Sequence, residues 1–345
     1  MPSTVSSAKT TARPKKPLAV RKKTIRKKTE QGQIQLVLND DYLPALMKVL
    51  DKAKKKIDIL AYSFAIGSAK GVLAKKNAPY QIAEKLAEIK KAHGDDIQIR
   101  LYIEGLRETV ERNKTTVDFL KKAGVEIVYG STHAKGFCID DRYLLFGSTN
   151  LTNQSILKNY ETNLLIDDPE IAQGFEEYFN YMWNGGKHGG IVLEPPWIAD
   201  GGFKDVLIEM IDTAKYRIEF SIYFFIQADI EKALIRAAER GVKITGFIHH
   251  HNSFALWYVR RTRDTVTRLQ KAGITDLHFG PGHLFTHSKF LIRDRKKVLL
   301  GTGNWLNEDV QIHPQLYIQI KNPTLAKALA LQLEQQISDH RGPVT

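Results

Sequence analysis

Apolar positions recur along this chain in two similar passages. Tyr42 to Lys56 carries apolar residues at helical spacing and runs into Ile57-Asp-Ile-Leu-Ala-Tyr-Ser-Phe64, an apolar stretch of strand length. Phe203 to Tyr216 leads in the same way into Arg217-Ile-Glu-Phe-Ser-Ile-Tyr-Phe-Phe225. Each passage continues with a helical pattern (Gln81 to His93, Asp229 to Arg240), then a strand pattern (Ile97 to Ile103, Val242 to Ile248). A further helix follows in each, ending at Lys122-Ala-Gly124 and Lys271-Ala-Gly273, where glycine suits a helix C-terminus. Two short apolar runs on either side of a polar turn close each passage as a hairpin: Gly136 to Asp140 with Arg142 to Phe146, and Phe290 to Asp294 with Lys297 to Leu300. Strand alternating with helix predicts layered α/β architecture, and the repetition predicts two lobes.

The polar residues repeat with the apolar ones. His133-Ala-Lys135 with Asp140, and His287-Ser-Lys289 with Asp294, write H-x-K-x(4)-D twice at an offset of 154 residues. An asparagine follows each histidine by 17 residues, at Asn150 and Asn304, within the turns Gly147-Ser148-Thr149-Asn150 and Gly301-Thr302-Gly303-Asn304. On a strand, residues i and i+2 share a face, so each histidine and its lysine are expected side by side at the head of the hairpin. An imidazole, an ammonium and a carboxamide from each lobe suit a phosphate, whose oxygens the cations and amides hold while the rings act on phosphorus. Asp140 and Asp294 fall on the opposite face by odd spacing and are read as structural anchors. The first strands align at an offset of 161 rather than 154, so loop lengths differ, and Ala65 to Tyr80 reads as an insertion. The breakers of Gly185-Gly186-Lys-His-Gly189-Gly190 to Pro195-Pro196 mark the boundary, giving lobes at 31–190 and 191–345.

These two motifs, each with its G-S/T-x-N turn, resemble the signature of the phospholipase D superfamily. The resemblance implies two α/β/α sandwich lobes, each a mixed sheet flanked by helices, meeting about a pseudo-twofold axis with both histidines at the seam. It implies a metal-independent phosphodiesterase acting through a phosphohistidine, with no cofactor. His133, His287, Lys135, Lys289, Asn150 and Asn304 are then the catalytic set, the lysines and asparagines binding phosphate; Ser148 and Thr302 join them as phosphate binders or cap local backbone, the commoner use of such residues. It also places, 28 residues after each histidine, the residue that hydrogen-bonds the ring's far nitrogen: Glu161 in the first half, Gln315 in the second. Pairing each with the histidine of its own half, Glu161 raises the pKa of His133 and makes it the acid, while His287 with Gln315 is the better resting nucleophile. Many two-motif members attack with the N-terminal histidine instead, and the two rings are expected to titrate as a pair.

Composition adds the substrate question. A chain of 345 residues with 43% hydrophobic content can bury two cores, and no apolar run approaches the roughly 20 residues of a membrane span. Residues 1–30 lack the apolar core of a secretory signal, and one cysteine, Cys138, excludes an intrachain disulfide, so a cytoplasmic home is the default. Ten of the Lys and Arg residues lie in 1–30 against Glu30 alone, which puts +9 of the net +13 in a tail expected to be disordered. That tail is a basic arm for nucleic acid phosphates, an anchor on an anionic membrane surface, or a solvated leader. Basic tail and compact length favour a nuclease cleaving DNA or RNA. The alternatives are a phospholipase D or phosphatidyltransferase acting on phospholipid headgroups, and an inactive nucleic-acid-binding protein. Both motifs in one chain predict a monomer.

Other features carry less. His249-His250-His251 reads as a loop lining the cleft rather than a metal site, and His283 as a substrate contact or a loop residue. Ser155 is a cap or a phosphate ligand, Trp305 a cleft wall or a core-rim tryptophan, and Cys138 a buried inert thiol.

Overall fold

The computed structural model describes residues 28–29, 32–68, 71–250, 256–280 and 285–340. Of the basic tail, only Lys28–Thr29 fall within these, as a short strand; the rest of the tail, with its expected disorder, and His251 and His283 lie outside the described residues.

The first lobe holds strands β1 (Lys28–Thr29), β2 (Gly32–Leu38), β3 (Lys56–Ala61), β4 (Gln98–Glu104), β5 (Glu126–Gly130), β6 (Gly136–Ile139), β7 (Tyr143–Gly147) and β8 (Thr162–Asp167). They form one mixed sheet in the order β1-β2-β8-β7-β6-β3-β4-β5. The second lobe holds β9 (Trp197–Ala199), β10 (Arg217–Ile222), β11 (Lys243–Ile248), β12 (Leu277–Phe279), β13 (Phe290–Arg293), β14 (Lys297–Gly301) and β15 (Leu316–Lys321). Its order, β12-β11-β10-β13-β14-β15-β9, repeats the first sheet strand for strand apart from β1. Helices α1 (Tyr42–Leu50), α2 (Ala78–His93), α3 (Arg107–Lys122), α4 (Asn153–Leu157) and α5 (Pro169–Trp183) belong to the first lobe. Helices α6 (Phe203–Asp212), α7 (Ala228–Glu239), α8 (Leu256–Lys271), α9 (Asn307–Gln311) and α10 (Pro323–His340) answer them in the second.

Alternation along the strands sorts apolar residues into three large cores. On β13 to β15, Leu291, Leu299 and Tyr317 join an outer core with α6 and α7, whereas Phe290, Ile292, Val298, Leu300, Leu316 and Ile318 face a central one. In the first lobe Phe137, Ile139 and Leu145 go outward with α1 and α2, and Cys138, Leu144, Phe146, Leu164 and Ile166 go to the same central cluster. That cluster also takes Phe175, Phe179 and Met182 from α5 and Leu325, Leu329 and Leu333 from α10. The two sheets therefore share one core at the seam. Trp197, at the expected boundary, is buried in it, set edge-on to Phe146 at 5.1 Å with its indole N–H donating to the Ile171 carbonyl at 2.8 Å.

Candidate active site

The motif segments are positioned by hydrogen bonds across the seam. His133 N–H donates to the Pro314 carbonyl at 2.8 Å, and at the equivalent place His287 N–H donates to the Tyr160 carbonyl at 2.9 Å. Tyr160 N–H returns a bond to the Phe285 carbonyl at 2.9 Å, and the Thr162 and Ser288 hydroxyls lie 2.8 Å apart. Because these amides are committed to the opposite lobe, the paired strands begin only at Gly136 and Phe290. The histidines and lysines thus stand just ahead of the hairpin strands, not within them as expected.

The same docking decides which side chain orients which ring, and it crosses the expected pairs. The Nδ1 of His287 lies 3.0 and 3.1 Å from the two oxygens of Glu161, and the Nδ1 of His133 lies 3.2 Å from Oε1 of Gln315. Glu161 follows Tyr160, whose carbonyl holds the His287 segment, so its side chain meets the ring of the other lobe. Gln315 follows Pro314 in the same relation to His133. Two further residues hold these partners in place: the Asn39 side chain accepts from Glu161 N–H at 3.0 Å, and Asp200 accepts from Gln315 N–H at 3.1 Å. Both have positive φ, near 50°.

Charge inside the site follows from burial. Desolvation, then Lys135 and Lys289, push the His133 pKa well below its ordinary value, and the Gln315 hydrogen bond opposes this only weakly. Burial lowers His287 as well, but Glu161 pulls it back, so His133 is the more readily neutral ring. Burial works against the Glu161 carboxylate, yet His287, Lys289 and Ser148 outweigh it and hold its pKa down. Burial brings Lys289 to about 8, and burial with the neighbouring Lys289 pushes Lys135 well below the lysine range. Each lysine donates to the carbonyl of its own histidine, Lys289 at 2.7 Å. Two buried ammoniums whose pKa values are pulled down form a receptor that an anion would stabilise in the charged form.

The carboxamides of Asn150 and Asn304 are held by their backbone: Ser155 Oγ accepts from Asn150 N–H at 2.9 Å and Asp309 from Asn304 N–H at 2.7 Å. The Oδ1 atom of each asparagine is buried without a partner among the described residues, as ligand-binding amides can be. Ser148 and Thr302 are hydrogen-bonded within the site. Ser148 donates to Glu161 at 2.5 Å and Thr302 to Gln315 at 2.9 Å, so their hydroxyls serve the histidine partners. Ser155 also donates to Glu161.

Comparison with known proteins decides the family. A family model described as "Cardiolipin synthase, PLD-like domain" matches residues 46–183 and 207–337, one stretch in each lobe. The chain belongs to this phospholipase D-like family. Cardiolipin synthase A of Escherichia fergusonii is 24% identical over 337 residues, covering 81% of this chain and 65% of the relative. The human mitochondrial cardiolipin hydrolase is 35% identical over 75 residues, covering 21% of this chain and 30% of the relative. Both matches span less than two thirds of the relative's own length. The crystal structure of phosphatidylserine synthase from Haemophilus influenzae superposes with a TM-score of 0.67 at 14% identity, over 92% of this chain and 88% of that one, which shows a shared fold.

Other residues of this phospholipase D-like chain sort around the seam. Asp140 accepts from the amides of Lys54, Lys55 and Lys56, and Asp294 from those of Lys215, Tyr216 and Arg217, all between 2.8 and 3.1 Å. Trp305 is buried against Phe220 and Phe225 in the outer core of the second lobe and does not wall the cleft. Burial pushes the Cys138 thiol pKa up. His249 is buried against Tyr223 and Phe285, and among the described residues no group of three or more His, Cys, Asp or Glu could hold a metal ion. Tyr62 and Tyr223 escaped the sequence reading: each sets its ring edge-on to a histidine, at 4.8 Å from His133 and 5.3 Å from His287. Their signal was a repeated Tyr-x-Phe at the 161-residue offset.

Proposed function

We propose that the protein transfers or hydrolyses the phosphatidyl group of a phospholipid through a phosphohistidine, with His133 as nucleophile. The observation that carries the choice of substrate is the match of both lobes to the cardiolipin synthase model, with a phosphatidylserine synthase sharing the fold. These favour the phospholipid reading over the nuclease reading. A run of aromatic contacts agrees with an apolar substrate, leading from His287 through Tyr223, Phe224 and Tyr258 to Trp257, an exposed residue. Among the described residues no helix is long and apolar enough to cross a membrane.

The crossed partners reverse the roles argued from sequence. His133, neutral and held by a carboxamide, attacks phosphorus through Nε2; His287, backed by Glu161, protonates the departing alcohol. The same ring then takes a proton from water, for hydrolysis, or from an acceptor alcohol, for transfer, which attacks the phosphohistidine and frees His133. Lys135, Lys289, Asn150 and Asn304 stabilise the charge on the oxygens that do not leave.

The test is turnover in EDTA of vesicles containing phosphatidylglycerol or cardiolipin, beside phosphatidylcholine, single- and double-stranded DNA, and RNA. Lipid phosphodiester cleavage is expected, and ethanol added as acceptor should appear as phosphatidylethanol. Cleavage of a nucleic acid with every lipid intact would overturn the substrate reading. His287→Ala should accumulate a phosphoenzyme from a substrate with an activated leaving group, mapping to His133; a phosphoenzyme in His133→Ala instead would reverse the assignment.

A further inference from the structure

Behind the two histidine partners the lobes differ. The first lobe backs its carboxylate, Glu161, with neutral Ser148, Ser155 and Asn159. At the place of Ser155 the second lobe has Asp309, and at the place of Asn159 it has His313. The Nε2 amide of Gln315 donates to Oδ1 of Asp309 at 2.8 Å, while Oδ2 of Asp309 accepts from Asn304 N–H at 2.7 Å. His313 Nδ1 lies 3.1 Å from the same Oδ1. Gln315 and Asp309 are both buried. The carboxylate has moved one residue back from the ring instead of disappearing.

We propose that Asp309 is a positioning residue that fixes the tautomer of His133, and so keeps the lone pair on its Nε2 free for attack. A buried carboxylate can only accept, so it forces Gln315 to turn its NH2 toward Asp309 and its Oε1 toward His133. Thr302 reinforces this by donating to the same Oε1 at 2.9 Å. The atom facing the ring is then an acceptor only, which requires the proton of His133 on Nδ1 and leaves the lone pair on Nε2. A flipped amide would set Oε1 against the carboxylate and offer a donor to Nδ1, stabilising the tautomer that cannot attack. Gln315 alone has no such preference, because its two ends are nearly the same shape.

The inference rests on the histidine chemistry proposed above, and its first test is independent of substrate. In protein labelled with 15N-histidine, the His133 ring should show the Nδ1–H tautomer in wild type and a mixture in Asp309→Asn, whose amide can face Gln315 either way. With phospholipid vesicles, Asp309→Asn should lower kcat by at least about tenfold with little change in KM, since a wrong tautomer removes the attacking lone pair. The double variant Asp309→Ser with Gln315→Glu copies the first lobe, restoring an acceptor-only group beside His133, and should recover most of the kcat lost in Asp309→Ser alone. An unchanged His133 tautomer in Asp309→Asn would overturn the proposal, and so would a double variant no better than its worse parent. If the tautomer shifts but no phospholipid is turned over, the positioning role stands and the substrate reading falls.

Discussion

Lys289 shows at the residue scale what the site costs the protein. Burial brings its pKa from 10.5 to about 8, so below pH 8 the folded protein carries a charge it would rather shed, worth roughly 3 kcal/mol. The sign follows from proton binding: the unfolded chain binds the proton more tightly, so this burden is full below pH 8 and fades as pH rises from 8 towards 10.5. Lys289→Met should therefore raise stability at neutral pH by about 1–3 kcal/mol, less whatever the lost bond to the His287 carbonyl contributed, while abolishing turnover. Denaturant unfolding at pH 7 and at pH 10 checks this; a variant less stable than wild type at pH 7 would show the ammonium to be better compensated than its surroundings indicate. Which side chains each lobe brings to the seam was legible at this scale, because the two motifs repeat in register. That the hydroxyls of Ser148 and Thr302 turn to Glu161 and Gln315 was not legible, because a hydroxyl in sequence does not say whether a buried carboxylate or amide will claim it first.

At the scale of elements, the motif aspartates anchor the hairpins. Asp140 and Asp141, like Asp294 and Arg295, have φ near +50° at the two centres of a tight turn, a backbone twist that favours Asp and Asn among side-chain-bearing residues. The carboxylate then gathers three amides at the start of β3 or β10, tying the turn to the neighbouring strand. Asp140→Ala and Asp294→Ala should each cost about 1–3 kcal/mol in unfolding experiments, by similar amounts in the two lobes, and leave the nucleophile assignment untouched. A loss of activity with no loss of stability would point to a direct chemical role instead. Elements with strong periodicity were close to their expected limits: helix Gln81 to His93 is observed as Ala78–His93, and strand Val242 to Ile248 as Lys243–Ile248. The first helix stops at Leu50 rather than reaching Lys56, and strands end before Tyr62 and Tyr223, where the chain leaves the sheet to meet the histidines.

At the scale of the whole molecule, the seam is both a core and a catalytic frame. Residues of α5 and α10, with inward faces of both sheets, form one apolar cluster, so neither lobe should be stable apart from the other. Trp197 is central to it, packed where Gly174 leaves no room for a side chain: a Cβ there would lie 2.2 Å from the indole. Trp197→Ala should cost about 3–5 kcal/mol and lower activity together with stability, because the same seam sets both histidines. Thermal unfolding of the wild type should be a single transition; two separate ones would mean that the lobes hold together independently of this core.

By itself the sequence determined the duplication, the α/β elements and the paired His, Lys and Asn residues, because these rest on periodicity and spacing within each half. Only the tertiary structure decided that Glu161 serves His287 and Gln315 serves His133. Spacing along a chain measures distance within a lobe, whereas these pairs are made by backbone hydrogen bonds at Tyr160 and Pro314 that exist only once the two halves have docked.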